Sequence, residues 1–299
     1  MGCLQPRDGD FIIDCTFGRG GYSTAILEQL GDDGRLLAMD ADPAAIAHGE
    51  RAFGNERRLK LVHDNYDRVL LKLRELGMPE QAEGIVFDLG VSSPQLDDAS
   101  RGFSFLQDGP LDMRMNPAEG YGAAEWLSAV SYKELAGVIA RLGEERMASR
   151  IASKIIDARS STAIDSTKQL AEIVFNAIPE KERRSRKTHP ATKTFQAIRM
   201  HINHELEHLR DALNHALDVL TVGGILAVVS FHSLEDRIVK QLFRRCVEGA
   251  RLPDKLPVMR DETGGDYAYV AKLVRPSPKE VMLNPRSRSA RLRSIKKIR

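Results

Sequence analysis

Short apolar runs alternate with helical patterns along the first part of this chain, and this alternation restricts the fold more than any other feature. Four such runs occupy 10–14, 34–40, 59–63 and 84–88. Helical spacing of apolar residues follows the first run, and a proline at a helix start follows the second. Strands that alternate with helices form parallel βαβ units in a doubly wound sheet. This part of the chain is therefore predicted to be a doubly wound α/β domain.

The alternation stops in the middle of the chain. Residues 106–199 contain only helical patterns, and a strand pattern returns near the end of a long helical pattern that begins at about residue 200. We predict an α/β domain formed by 1–105 and 200–285, with an all-helical domain, 106–199, inserted in it. Residues 286–299 are predicted to be a basic C-terminal tail, extended or mobile.

The net charge of +2 conceals an uneven distribution of basic residues. Seven Lys/Arg and one acid lie in 181–199, and seven Lys/Arg and no acid lie in 286–299, so the rest of the chain is net acidic. Basic segments suit a polyanionic partner because Lys and Arg displace counterions from phosphates. Solvated charge runs are the alternative interpretation.

Composition disfavours membrane and disulfide-rich classes. The longest aliphatic run, 225–229, is far shorter than the ~20 apolar residues of a membrane helix. Cys3, Cys15 and Cys246 are too far apart for a disulfide framework or a zinc site. We predict a cytoplasmic protein with no membrane contact and no metal.

A Gly-rich turn follows the first apolar run. Gly18, Gly20 and Gly21 allow the backbone to approach a ligand, and Asp40 lies twenty residues after Gly20, where an acid can bind ribose hydroxyls. Ser23 stands where a dinucleotide fingerprint needs its third glycine, and the Gly-Lys-Ser/Thr ending of a P-loop is absent. A tight turn that binds no ligand is the alternative.

Long ordered motifs in the second half of the predicted sheet and beyond resemble one known family. They lie at 88–97, 101–105, 109–115, 189–197 and 230–237. They are similar to the bacterial 16S rRNA cytosine-N4 methyltransferases, the RsmH or MraW family. The resemblance implies a Rossmann-like class I S-adenosyl-L-methionine-dependent methyltransferase with an inserted all-helical domain. It also implies methylation of the exocyclic N4 of a cytidine in the decoding region of 16S rRNA.

The same resemblance implies a cofactor site and a partner. Its S-adenosyl-L-methionine contacts would be Gly20, Gly21, Tyr22, Asp40, Tyr66, Asp88 and Gln95. Relatives usually have a histidine in place of Tyr22 and a further segment ahead of the first strand, so we expect a less covered cofactor pocket here. The implied partner is 16S rRNA within the small ribosomal subunit or a late precursor. The sequence leaves a homodimer open.

Amine methylation needs an acceptor for an N–H and an in-line arrangement, with no covalent nucleophile. Asp88, with Ser92 and Ser93, is the predicted acceptor group, and Asp112 and His232 are further candidates. Methylation at carbon 5 of cytosine would instead need an activated thiolate. No cysteine of this chain lies in a Pro-Cys turn, so we disfavour that reaction.

Each of these candidates also has a structural interpretation. Asp88 suits a helix cap or turn, and Asp112 suits an ion pair with Arg114. His232 precedes a helix for which Ser233 is the predicted cap and Asp236 the third residue.

One motif is rejected. His204-Glu-Leu-Glu-His208 matches the zinc-protease signature H-E-x-x-H on a helix. Both histidines are predicted to lie in solvent, about 200° round the helix from its apolar stripe, whereas catalytic zinc needs a dry cavity and a third ligand.

The predicted RNA contacts are phosphates at 181–199 and at the tail, with the flipped base near Phe103 or Phe105. Packing is the alternative for both phenylalanines. Two other functions stay open: an S-adenosyl-L-methionine-dependent methyltransferase of another nucleic-acid substrate, and a non-catalytic RNA-binding relative.

Overall fold

A computed structural model describes residues 2–249 and 265–299. The chain forms two compact units: Met1–Gly90 with Leu206–Arg299, and Val91–Glu205. The first unit is α/β and the second is helical, so the predicted Rossmann-like fold with an inserted helical domain is confirmed. The helical unit extends further at both ends than the predicted 106–199.

In the described residues the first unit contains one seven-stranded sheet. Its strands are β1 (Phe11–Asp14), β2 (Arg35–Asp40), β3 (Leu59–His63), β4 (Ala82–Asp88), β5 (Leu220–Ser230), β6 (Tyr267–Val274) and β7 (Arg291–Lys297). The spatial order is β3-β2-β1-β4-β5-β7-β6. Strands β1 to β5 are parallel, and β7 runs antiparallel between β5 and β6.

The helices follow in chain order. They are α1 (Gly21–Leu27), α2 (Pro43–Phe53), α3 (Val69–Glu75), α4 (Ser93–Asp97), α5 (Ala123–Ala129), α6 (Tyr132–Gly143), α7 (Ala148–Arg159), α8 (Thr167–Ala177), α9 (Glu180–Ser185), α10 (Thr192–Ile202), α11 (Glu205–Val219), α12 (Ser233–Glu248) and α13 (Pro278–Leu283). None of the helices in the described part of the chain is long and apolar enough to span a bilayer.

The sheet is covered on both faces because successive residues of a strand point in opposite directions. One set of side chains packs with α1, and the other packs with α3, α11 and α12. These sets are Ile12, Leu36 and Val86, and Ile13, Leu37 and Phe87. The carboxyl ends of β1, β2, β4 and β5 therefore meet at one edge, where ligands bind in such sheets.

The helical unit has a core of its own. Apolar side chains from α5 to α10 form one buried cluster, which includes Trp126, Leu135, Ile151, Leu170 and Ile198. Side-chain caps begin two of these helices: Ser131 accepts the Glu134 N–H, and Ser166 forms a capping box with Gln169.

The long helix predicted from about residue 200 is interrupted. Helix α10 ends at Ile202 and α11 begins at Glu205, and His204 between them has a φ of +48°. The prediction that His204 and His208 share one helix is therefore wrong. His208 is also half-buried, and its Nδ1 accepts a hydrogen bond from Nδ2 of Asn65 at 2.7 Å.

The tail that was predicted to be extended or mobile is instead part of the sheet. Half of 286–299 forms β7, which lies between two other strands. Arg293 on this strand is 7% exposed and donates to the carboxylate of Asp236 on α12, as does Arg291. Because Asp236 neutralises these cations, a strongly basic segment can pair within the sheet.

Candidate functional site

Asp14, at the end of β1, holds the Gly-rich turn together. Its buried carboxylate accepts hydrogen bonds from Ser23 Oγ at 2.7 Å and from the Thr16 N–H at 3.1 Å. Burial raises the pKa of Asp14 to about 6, although these hydrogen bonds lower it. Asp14 was not identified from the sequence. The available signal was an acid that ends a strand directly before glycines.

The turn itself requires glycine. Gly20 has a φ of +77°, and a Cβ at this position would lie 2.8 Å from the ring of Phe53. Gly21, the first residue of α1, is exposed, and a Cβ there would meet nothing within 4 Å. The backbone of the turn is thus held closely on one side and open on the other.

Asp40 ends β2 and is bound to the same turn. Its Oδ2 accepts the Gly18 N–H at 2.7 Å, and its Oδ1 accepts the Asp42 N–H at 2.8 Å. Burial raises the pKa of Asp40 to about 6, while the two N–H donors lower it. An ionised carboxylate has about four acceptor positions. The orientation of Asp40 is therefore set by the backbone, and its remaining lone pairs suit hydroxyl groups.

Asp88 ends β4 at the same edge. Its backbone N–H donates to Thr16 Oγ1 at 2.6 Å, which ties β4 to the turn. Its Oδ1 is buried and makes no hydrogen bond with any residue that the structure describes. Burial, followed by the charges of Asp14 and Glu235, raises the pKa of Asp88 to about 7. A buried acceptor without a donor is rare in proteins, so this oxygen suits a ligand donor.

Two tyrosines lie on elements that begin at this edge. Tyr22 in α1 is half-buried against the apolar cluster that contains Ile26. Burial and the neighbouring carboxylate of Asp88 raise the pKa of its hydroxyl, which therefore stays a neutral donor. Tyr66 follows β3 and packs edge to face on Phe87, with 5.7 Å between ring centroids. Their cofactor contacts stay predictions.

Asn65, beside Tyr66, was not identified from the sequence. Its Nδ2 donates to His208, whereas its Oδ1 is buried and has no hydrogen-bond partner among the described residues. Asn65 is therefore a second acceptor in this unit that suits a ligand donor. The only signal in the sequence was its position just after the third apolar run.

His232 follows β5 and caps α12, so the predicted cap at Ser233 is wrong. Its Nδ1 accepts the Glu235 N–H at 3.3 Å, and its Nε2 lies 2.9 Å from Glu235 Oε1. The other carboxylate oxygen of Glu235 accepts the His232 N–H at 3.3 Å and the Phe231 N–H at 3.0 Å. This capping box accounts for His232 structurally. Its role as a proton acceptor stays a prediction.

The other candidates belong to the helical unit. Ser92 precedes α4, whose first residue is Ser93, and the Ser92 N–H donates to Oε1 of the buried Gln95 at 2.8 Å. This capping box orders the loop after β4. The predicted acceptor role of the two serines and the cofactor contact of Gln95 remain untested.

Asp112 forms the ion pair that was its structural interpretation. Arg114 donates to it from Nε at 2.9 Å and from Nη2 at 2.6 Å. Burial raises the pKa of Asp112, but the hydrogen bonds from Arg114 outweigh it, and the net pKa lies below the usual value. A carboxylate held in this way is a poor proton acceptor.

The cysteines do not resemble activated nucleophiles. Cys15 is buried, and burial followed by the charge of Asp14 raises the pKa of its thiol well above the usual value. Burial also raises the pKa of Cys246. Both groups are thiols at neutral pH, which does not suit covalent attack on a cytosine ring.

The residues at the sheet edge fit S-adenosyl-L-methionine. This molecule carries an ammonium group, a sulfonium and two ribose hydroxyls. Asp14 is buried and Asp40 and Asp88 are half-buried, all three have raised pKa values, and Oδ1 of Asp88 has no donor among the described residues. A cationic ligand would favour the ionised form of these groups and offset the cost of burying them.

Comparisons with known proteins show the family of this chain. The chain matches the model of the MraW methylase family over residues 1–298. It is 53% identical over 292 residues to the ribosomal RNA small subunit methyltransferase H of Nitrosococcus oceani, a match that covers 97% of this chain and 91% of that protein. The proteins of the same name from Idiomarina loihiensis and Coxiella burnetii are 50% and 45% identical, over 96% and 99% of this chain and 90% and 95% of theirs. This chain therefore belongs to the MraW methylase family.

Proposed function

We propose that this protein transfers a methyl group from S-adenosyl-L-methionine to the exocyclic N4 of a cytidine in the decoding region of 16S rRNA. The observation that carries the proposal is the buried Oδ1 of Asp88, which has no donor among the described residues. Family membership and the names of the relatives support a small-subunit rRNA substrate.

The chemistry follows from the difficulty of the reaction. The cytosine N4 amine is a weak nucleophile because its lone pair is delocalised into the ring. S-adenosyl-L-methionine, when bound, supplies an electrophilic methyl group on a sulfonium sulfur. Asp88 accepts one N–H of the amine, which orients the nitrogen and stabilises the positive charge that develops on it. The proton leaves the methylated amine for this carboxylate, whose pKa of about 7 suits both uptake and release near neutral pH.

The other residues of the first unit hold the cofactor. Asp40 accepts hydrogen bonds from the ribose hydroxyls, since the Gly18 and Asp42 N–H groups fix its orientation. The open side of the turn at Gly21 receives the methionine end. Tyr66 packs beside the adenine, and Asn65 Oδ1 accepts a donor from it.

The test uses purified protein, small ribosomal subunits that lack the modification, and nucleoside mass spectrometry. We expect N4-methylcytidine to form with the wild-type protein. Asp88→Asn should lower kcat by about 100-fold or more, and it should raise the Kd for S-adenosyl-L-methionine by a smaller factor, about threefold to tenfold. Asp40→Asn should raise that Kd by about tenfold, because a ribose contact is lost.

Asp33→Asn, an exposed carboxylate in the turn before β2, is the matched control and should behave as the wild type. Absence of cofactor binding in calorimetry would favour a non-catalytic RNA-binding relative and overturn the proposal. Methylation at carbon 5, or of a different nucleic acid only, would overturn the choice of substrate.

A further inference from the structure

The helical unit carries an exposed aromatic surface for which the methyl-transfer chemistry has no use. Phe175, in the last turn of α8, is 40% exposed although its side chain is large and apolar. Arg183 on α9 and His189 in the loop before α10 lie against its ring. We call these three residues, Phe175, Arg183 and His189, the aromatic edge.

Arg183 is held flat on this edge. Its guanidinium carbon lies 4.1 Å from the centroid of the Phe175 ring, and its Nη1 donates to the Phe175 carbonyl at 2.9 Å. The cation therefore lies over the ring in an arrangement set by a hydrogen bond. A planar guanidinium fixed in this way offers a face on which a second planar group can stack.

His189 extends the same surface. Its exposed ring lies at 23° to the Phe175 ring, with centroids 5.9 Å apart. On another side it packs against Phe105, at 4.7 Å between centroids, and Phe105 is in turn backed by Phe195 at 4.9 Å. Partial burial lowers the pKa of His189, so its ring is neutral at neutral pH. The edge is thus rigid on its inner side and open on its outer side.

Exposed cations lie close to the residues of the aromatic edge in the sequence. Lys181 and Lys187 are exposed, and no described residue forms an ion pair with either of them. Arg186, by contrast, is bound to the buried Glu145, and Arg199 is bound to the buried Glu205. The basic segment therefore contains both cations that hold the unit together and cations that face solvent near α9.

We propose that the aromatic edge is a stacking site for an unpaired nucleotide of the substrate RNA, with Lys181 and Lys187 binding its phosphates. Unstacked bases of single-stranded RNA bind aromatic rings and guanidinium planes, whereas paired bases cannot reach them. The proposal rests on the proposed function, because it takes the substrate to be RNA. It adds that the protein selects RNA with an unpaired nucleotide at this surface.

The test compares two RNA ligands of equal length, an unpaired oligonucleotide and a hairpin stem, by fluorescence anisotropy with the full chain. Phe175→Leu keeps an apolar side chain but removes the aromatic face. We expect its Kd for the unpaired RNA to rise about tenfold and its Kd for the stem to stay unchanged. Phe175→Trp should retain the affinity of the wild-type protein.

Matched control variants distinguish the loss of stacking at the aromatic edge from the loss of any exposed aromatic or basic side chain. Tyr132→Leu removes another exposed aromatic ring of the helical unit, 47% exposed at the start of α6, and should not change either Kd. Arg183→Lys keeps the charge but loses the plane, so its Kd for unpaired RNA should rise about threefold to tenfold. Arg141→Lys, on the exposed side of α6, is its control and should bind as the wild type.

A probe inside the RNA gives a readout that a purely structural role would not change. The fluorescence of 2-aminopurine in the unpaired oligonucleotide should be quenched by the wild-type protein and not by Phe175→Leu. Equal loss of affinity for the stem and the unpaired RNA, or no loss for either, would overturn the stacking site. So would an acidic peptide that competes for the edge while RNA does not.

The two proposals can fail separately. If the wild-type protein methylates small subunits while Phe175→Leu binds unpaired RNA as tightly as wild type, the stacking site is wrong and the proposed function stands. If the wild-type protein stacks the probe but never methylates RNA, the proposed function is wrong and the stacking site stands.

Discussion

The two basic segments of this chain, 181–199 and 286–299, contain the same number of Lys and Arg residues and use them differently. In the second segment Arg291 and Arg293 bind Asp236, and β7 lies between two other strands. In the first segment, exposed cations accompany an exposed aromatic ring. Equal numbers of Lys and Arg in the sequence thus correspond to a structural role in one segment and to a candidate RNA surface in the other.

The difference depends on which acids lie close in space. Asp236 is separated from Arg293 by 57 positions, and Glu145 is separated from Arg186 by 41 positions. A cation that neutralises a buried carboxylate stabilises the fold, because the unpaired charge would be costly. A cation without such a partner is available to phosphates.

Arg293→Ala should have the largest effect. It leaves Asp236, which is 5% exposed, with Arg291 as its remaining partner in the ion pair. We expect the free energy of unfolding to fall by about 3 to 5 kcal/mol in urea denaturation. Lys296→Ala, an exposed cation on the same strand, should change it by less than about 0.5 kcal/mol. If Arg293→Ala is as stable as wild type but binds RNA more weakly, β7 contributes to RNA binding and the structural role assigned to Arg293 is wrong.

Asp88→Asn tests a half-buried carboxylate that forms no ion pair with any described residue. The folded pKa of Asp88 is about 7 against an ordinary value of 3.8, so the folded state binds this proton more tightly than the unfolded state does. The contribution of Asp88 to stability therefore falls as pH rises from about 4 to 7. Without cofactor, Asp88→Asn should be more stable than wild type by about 4 kcal/mol at pH 8.

This difference should disappear near pH 4, and cofactor should reduce it at pH 8 because a cationic ligand stabilises the ionised wild-type group. Thermal or urea unfolding at several pH values measures it. A difference that does not change with pH would mean that the pKa of Asp88 is not raised.

Arg186→Ala tests a buried pair inside the other basic segment. Glu145 would keep the Met147 N–H as a donor, so we expect a smaller loss than for Arg293→Ala, about 2 kcal/mol. Lys187→Ala, the exposed neighbour, is the control and should be as stable as wild type. Urea unfolding distinguishes the two. Equal stability of both variants would show that segment 181–199 is solvated throughout.

The double variant Lys181→Ser/Lys187→Ser should have the smallest effect on stability. It should instead weaken RNA binding. We expect the Kd for unpaired RNA to rise about fivefold at moderate salt, and the slope of log Kd against log salt to fall by about 1.4. The paired control is Arg288→Ser with Lys296→Ser, two exposed cations of the second segment. If this control weakens RNA binding more than the Lys181/Lys187 variant does, the RNA surface has been assigned to the wrong segment.

Much of the fold and part of the site could be predicted from the sequence. Strands β1, β2 and β4 coincide with apolar runs, because a strand covered on both faces needs apolar residues along its length. Asp40 and Asp88 were identified because each ends such a run, and the carboxyl ends of parallel strands share one edge.

Other features could not be read from local patterns. The break between α10 and α11 accompanies Asn203, whose side chain donates to Met113 O and accepts the Met115 N–H, almost 90 residues away in the chain. The cap of α12 is His232 rather than Ser233, since the reciprocal bonds with Glu235 depend on the exact path of the chain after β5.

The sequence by itself determined the alternation of strands and helices, the Gly-rich turn and the acids at the strand ends, because hydrophobic spacing and glycine conformation are local properties. Only the tertiary structure decided that 286–299 is a strand and that Oδ1 of Asp88 has no donor among the described residues. Both facts concern which groups meet after folding. The energy of a charge depends on its partners and its burial, and distant parts of the chain supply both.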